Sequence, residues 1–180
     1  MTQAEGIPVN EAEVAGRFDQ LVELARAAGR VTLEYFQRDN FTVERKSDNS
    51  PVTVADRAAE QWLRTAIKSR FPTDAVLGEE FGELPGDSGF RWILDPIDGT
   101  KSFIGGVPLY STLIGVEWSG RCVLGVIYVP ALDEIIYARR GHGAWHQRCQ
   151  AAPVVARVSQ RDNLRDGIFV TSQVDNFDQR

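Results

Sequence analysis

Residues Trp92 to Phe103 read WILDPIDGTKSF, and no other stretch limits the possible folds of this chain so strongly. Trp92-Ile93-Leu94 is a short apolar run of the kind that forms a buried strand. The strand is expected to end at Asp95, because Pro96 has no N–H to give to a ladder. Asp98 follows three residues later, then Gly99, Thr100 and a short helix. Two carboxylates, a glycine and a hydroxyl therefore stand where a strand passes to a helix N-terminus. Hard divalent cations take oxygen ligands from carboxylates, carbonyls and water. Phosphate takes exposed backbone N–H groups at the positive end of a helix. One turn offers both.

Two upstream segments carry matching chemistry. Leu77-Gly78-Glu79-Glu80 follows the apolar Ala75-Val76-Leu77 and reads as the end of another strand. Pro51-Val52-Thr53-Val54-Ala55-Asp56 leads into an amphipathic helix. Thr53 is its expected cap, Ala59, Trp62, Leu63, Ala66 and Ile67 its buried stripe, and Phe71-Pro72 its end. An earlier helix is expected from Asn10, with Glu13 placed for a capping box, to about Phe36. Val14, Phe18, Leu21, Val22 and Ala25 form its stripe, and Gly29 weakens its middle. Phe41-Thr42-Val43 reads as a short strand. After the DPIDGT segment come strand-like runs at 111–118, 122–129, 135–137 and 143–146, with Ser119-Gly120 as a tight hairpin turn. Two helices followed by a mostly antiparallel meander define an α+β or layered α/β fold.

Taken in order, Asp56, Glu79-Glu80 and Asp95-x-x-Asp98-Gly99-Thr100 resemble the inositol monophosphatase family of magnesium-dependent, lithium-sensitive phosphomonoesterases. The resemblance runs from about Phe18 to at least Trp145. The continuation Lys101-Ser102-Phe103-Ile104, Gly106-Val107-Pro108-Leu109-Tyr110 and Thr112-Leu113-Ile114 looks like the histidinol-phosphatase branch. The resemblance implies that Glu79, Asp95 and the Ile97 carbonyl hold a first Mg²⁺, with Asp95 bridging to a second ion also held by Asp98. Asp56 would hold a third ion, mostly through water. Thr100 and Glu79 would orient and deprotonate the attacking water, and Gly99 and Thr100 N–H groups, beside Asp98, would receive the phosphate. Glu80 would support the ligands from behind, and Lys46 would lie in a loop that closes over the site. The implied substrate is histidinol phosphate, with inositol 1-phosphate and nucleotide 3′-phosphates as alternatives.

The same residues have structural readings. Asp95 and Asp98 suit a turn. Glu79-Glu80 suits a solvated loop. Asp56, three residues after Thr53, suits a capping box. Thr100 can cap the helix that follows it. His142, His146 and Cys149 suit zinc by ligand type, although a fourth ligand is not apparent.

The length of 180 residues suffices for a real core. The net charge of −5 argues against a nucleic-acid partner held by a basic field. It leaves anionic small molecules open, because a bound cation reverses the local charge. No apolar run approaches the roughly 20 residues that span a bilayer, and the first residues lack the character of a secretory signal. A cytoplasmic setting is expected, with Cys122 and Cys149 as free thiols. Residues 1–9 read as a leader, 10–152 as a metal-binding α+β unit, and 153–180 as the start of a second one. The family carries a later Trp-Asp metal ligand, and no Trp follows Trp145. The chain thus reads as C-terminally incomplete relative to the family. A non-catalytic remnant acting by association, or a homodimer formed through an exposed edge, is the rival expectation.

Overall fold

The computed structural model describes residues 10–38, 43–45 and 51–168. Helix α1 spans Glu11–Leu33, and the Asn10 side chain caps it by accepting from the Ala12 N–H at 3.1 Å. Strands β1 (Val43–Arg45) and β2 (Pro51–Thr53) pair antiparallel as a separate ribbon. Helix α2 follows at once, Val54–Arg70, and ends at Phe71. Then come β3 (Ala75–Gly78), β4 (Gly82–Leu84), β5 (Phe90–Asp98) and the short helix α3 (Thr100–Ile104). Strands β6 (Ser111–Trp118), β7 (Arg121–Val129), β8 (Glu134–Arg139), β9 (Gly143–Arg148) and β10 (Val154–Val155) complete the order. One-turn 3₁₀ helices stand at Pro130–Leu132 and Leu164–Asp166.

One eight-stranded sheet runs in the order β10-β9-β8-β7-β6-β5-β3-β4. Only β3 and β5 are parallel neighbours; the other pairs are antiparallel. The mixed sheet with helices on it is the α+β class that the sequence predicts. The Ser119-Gly120 turn joins β6 to β7 with both residues at positive φ, 48° and 77°, as a tight two-residue hairpin requires.

Both long helices lie on one face. Leu21, Leu24, Ala25 and Ala28 of α1 and Leu63 and Ile67 of α2 pack on Val76, Trp92, Leu94, Ile114, Val116 and Val126. Alternation along the strands places these residues on one side. Two details of the helices differ from the sequence pattern. Trp62 lies on the outer side of α2, 36% exposed, while Glu60 and Arg64 are buried. Gly29 does more than weaken α1: a Cβ there would stand 2.5 Å from the Tyr128 ring and 2.8 Å from Pro130. The glycine lets the helix lie directly on β7.

The strand pattern differs at Pro96. The strand does not stop at Asp95 but continues to Asp98, with a register shift between the Asp95↔Leu113 and Asp98↔Ser111 pairs. Proline fits because it sits in a bulge, where a ladder N–H is not demanded. Its own carbonyl accepts from the Thr112 hydroxyl at 2.9 Å. The opposite face of the sheet carries Leu113, Gly115, Gly125, Ile127 and Ile136. These residues line a shallow apolar hollow of about 380 Å³, with Ile127 47% and Ile136 39% exposed.

Candidate metal centre

The geometry of the acidic residues follows from the β3/β5 register. Gly78 pairs with Leu94, and the next amide, Glu79 N–H, donates to the Leu94 carbonyl at 3.3 Å. This sets Glu79 beside Asp95. The two side chains are in hydrogen-bonding contact, and Asp98 is close enough to raise the Asp95 pKa by its charge. Asp95 is pushed up to about 7, first by burial and then by the charges of Glu79 and Asp98. Its Oδ1 atom is buried without a hydrogen-bond partner. An uncompensated buried carboxylate oxygen is costly, and a bound cation is one of the few things that remove the cost.

The rest of the DPIDGT turn is held by a small core of its own. Ile97, Phe103, Tyr110 and Ala55 are buried together, with Phe36 against them. Phe103 meets Tyr110 edge-on at 4.9 Å, and the Tyr110 hydroxyl pairs with that of Thr32 at 2.9 Å. Gly99 takes φ +91°, a conformation that a side chain would strain, and opens α3. The Thr100 hydroxyl donates to the Ile97 carbonyl at 3.1 Å, and that of Ser111 to Asp98 at 3.4 Å. Glu79 and Asp98 are exposed; Asp95, Gly99 and Thr100 are half-buried.

Asp56 stands in the first turn of α2. Its Oδ2 accepts from the Thr53 N–H at 2.8 Å and the Thr53 hydroxyl at 2.6 Å, so the capping box is formed. Burial raises its pKa, the Thr53 bonds oppose that rise, and the charge of Glu80 adds to it. Asp56 and Glu80 therefore lie within electrostatic reach of each other. Lys46 lies outside the described residues.

The donors are all oxygen, the set a hard divalent cation prefers. Among the described residues no three His, Cys, Asp or Glu side chains close into a cage. Glu79, Asp95 and Asp98 instead form one open wall with the orphan oxygen of Asp95 in it. The fit to a hard cation rests on that atom and on the donor chemistry. The zinc reading fails on geometry: the His146 Nε2 pairs with Glu134 at 2.7 Å, and His142 stays in its turn against the Arg140 carbonyl. Cys122 and Cys149 are free and exposed.

Residue pattern alone did not single out Glu60 and Arg64. Glu60 is wholly buried and accepts from the backbone of Glu80 and Phe81. The available signal was the i, i+4 spacing of Asp56, Glu60 and Arg64 beside an apolar stripe, which puts all three on a buried face.

Fold and site together describe a mixed-sheet protein with a carboxylate-rich, cation-suited turn at the end of a strand. Residues 15–180 match the model of the inositol monophosphatase family, and the chain belongs to that family. It is 53% identical over 124 residues to a histidinol-phosphatase of Chlorobaculum parvum, covering 69% of this chain and 48% of that protein. A histidinol-phosphatase of Streptomyces coelicolor is 37% identical over 161 residues, covering 87% of this chain and 60% of the relative. The crystal structure of the extragenic suppressor protein suhB from Bartonella henselae superposes with a TM-score of 0.75 at 36% identity, covering 83% of this chain and 57% of that one. The chain thus spans about half the length of the relatives it matches. Among the described residues no helix is long and apolar enough to cross a membrane.

Proposed function

We propose that this chain carries the metal-binding part of a cytoplasmic, Mg²⁺-dependent phosphomonoesterase, with histidinol phosphate as its substrate. The observation that carries the reading is the buried, unpartnered Asp95 Oδ1, flanked by Glu79 and Asp98. The histidinol-phosphatase relatives support the choice of substrate. Residues 10–152 would form the metal-binding unit and 153–180 the start of another.

In this reading Glu79, Asp95, Asp98 and the Ile97 carbonyl would hold the ions, two or three in number with Asp56. When bound, such ions lower the pKa of water and neutralise charge on the phosphoryl oxygens. Glu79, exposed to solvent, takes the proton of the attacking water. The Thr100 hydroxyl, tied to the Ile97 carbonyl, orients that water. The left-handed turn at Gly99 opens α3, and the Gly99 and Thr100 N–H groups there would receive the phosphate, with Asp98 beside them. Asp56 acts from the second acidic pair through Glu80. Its capping bonds both fall on Oδ2, so contact with an ion would fall to Oδ1. Lys46 would belong to a covering loop.

The test is phosphate release from histidinol phosphate, inositol 1-phosphate and a nucleoside 3′-phosphate, with and without Mg²⁺. Mg²⁺-dependent release, fastest from histidinol phosphate, supports the reading. Faster release from either other ester replaces the substrate. Release from none of them, with a folded protein, favours a second reading: a chain that acts by association through the apolar face around Ile127 and Ile136.

A further inference from the structure

We propose that Glu60 is the positioning residue that sets the cation affinity of the Glu79–Asp95 site, through a clamp on the turn that carries Glu79. The inference rests on the metal-binding reading given above and adds to it a residue outside the ligand set.

Glu60 belongs to α2, yet its carboxylate serves the backbone of another element. Oε2 accepts from the Glu80 N–H at 2.7 Å, and Oε1 from the Phe81 N–H at 3.2 Å and the Arg64 Nε at 2.7 Å. Arg64, one helical turn on, donates from Nη2 to the Gly82 carbonyl. Three consecutive residues, 80 to 82, are thus fixed to one face of α2. On the near side, Glu79 is fixed to β5 by its N–H bond to the Leu94 carbonyl at 3.3 Å. Its peptide is held in front and behind, which leaves Glu79 little choice but to face Asp95.

The sequence has made room for this carboxylate. A Cβ at Gly78 would stand 1.9 Å from the Glu60 Oε1 and 2.2 Å from its Cδ, closer than atoms can approach. The glycine, the buried acid and the acidic turn are therefore one unit. Both oxygens of Glu60 already accept hydrogen bonds from within the protein, so it is a holder of ligands rather than a ligand. Groups that hold metal ligands in place commonly change affinity about 10- to 100-fold when altered. A mere staple between helix and loop would change stability alone.

Glu60→Gln separates the two. Glutamine keeps the volume but offers one acceptor oxygen and an NH₂ that must face another donor. Binding of Mn²⁺ is measured by the loss of the free-ion electron paramagnetic resonance signal, with circular dichroism showing each variant folded. Glu60→Gln is expected to weaken Mn²⁺ binding about 10- to 100-fold. Gly78→Ala, which pushes the carboxylate aside, should weaken it similarly. Glu134→Gln is the control. It makes the same replacement on β8, three strands from β5 in the sheet and so about 14 Å away at about 4.8 Å per strand, and should leave Mn²⁺ binding within twofold of the parent. Parent-like affinity in a folded Glu60→Gln overturns the inference and leaves the metal-binding reading intact. A parent chain that binds no Mn²⁺ at all overturns both.

Discussion

Removing the carboxylate of Asp74 should cost this fold a large part of its stability. Asp74 is wholly buried just before β3 and accepts four side-chain hydrogen bonds. Arg17 gives two, from Nε at 2.8 Å and Nη2 at 2.6 Å; Trp92 Nε1 gives one at 2.8 Å and the Ser88 hydroxyl one at 2.7 Å. The Arg17 guanidinium is itself buried over the Phe90 ring, 3.6 Å from its centroid. Asp74→Ala strands that charge, and breaking a buried pair in this way costs about 3–5 kcal/mol. The orphaned Trp92 N–H adds about 1–3 kcal/mol. These terms overlap, so about 5 kcal/mol is expected, against a total of about 5–15 kcal/mol for a domain. Asp74→Asn keeps one acceptor oxygen and should lose about 3 kcal/mol. For a chain of this size that lowers Tm by about 6–12 °C. Urea unfolding followed by tryptophan fluorescence and circular dichroism measures both. The double replacement Arg17→Met with Asp74→Leu should recover the part due to the stranded charge, because an apolar pair needs no partners, and leave the part due to the orphaned Trp92 N–H. A loss below about 1 kcal/mol in Asp74→Asn would refute the claim that the four bonds hold α1, β3 and β5 together.

Four further outcomes are expected. Asp95→Asn should abolish Mg²⁺-dependent phosphate release while leaving the fold intact, by circular dichroism; unchanged turnover would sink the metal assignment. Without metal, Asp95 holds its proton up to about 7 in the folded chain, against an ordinary 3.8. The folded state therefore binds the extra proton between these values, and its stability from this group falls as pH rises through about 7. The difference between parent and Asp95→Asn in urea should slope by at most about 1.4 kcal/mol per pH unit across that window, and a flat difference would count against the shift. Gly29→Ala should destabilise by about 1–3 kcal/mol despite better helix propensity, because its Cβ meets the Tyr128 ring; a gain in Tm would contradict the close α1/β7 contact. Ile127→Lys, on the exposed face, should change stability by less than about 0.5 kcal/mol and reduce any self-association seen by sedimentation velocity.

The sequence was legible where a local rule had one winner. The Asn10 and Thr53 caps, the Ser119-Gly120 hairpin and the antiparallel meander from β5 to β9 each follow from short-range chemistry. The misreadings have a common cause, which is that tertiary partners decide them. Pro96 breaks a ladder only if its N–H is wanted, and the bulge at Asp95–Asp98 removes the demand. Trp62 looks like core by residue type, but the helix turns it outward and buries Glu60 and Arg64 instead. The carboxylates of the site were legible as a set, because Asp-x-x-Asp-Gly-Thr and an upstream Glu pair rarely coincide by chance. Asp56 completes the Thr53 capping box, so its structural reading holds, and both capping bonds fall on Oδ2.

What separates the candidate ligand from the structural acids is the company each oxygen keeps. Asp74 and Glu60 are both wholly buried, and each is saturated by donors: four side-chain bonds for Asp74, two backbone bonds and an arginine for Glu60. A carboxylate so supplied has its charge answered within the protein and no capacity left for a cation. Asp95 is less buried, yet it keeps one oxygen without a partner and two acids for neighbours. Folding alone would select against that arrangement, since a hydrogen-bond donor or an apolar residue at 95 would remove the repulsion. The two buried arginines among the described residues, Arg17 and Arg64, pair with the acids that hold the frame, Asp74 and Glu60.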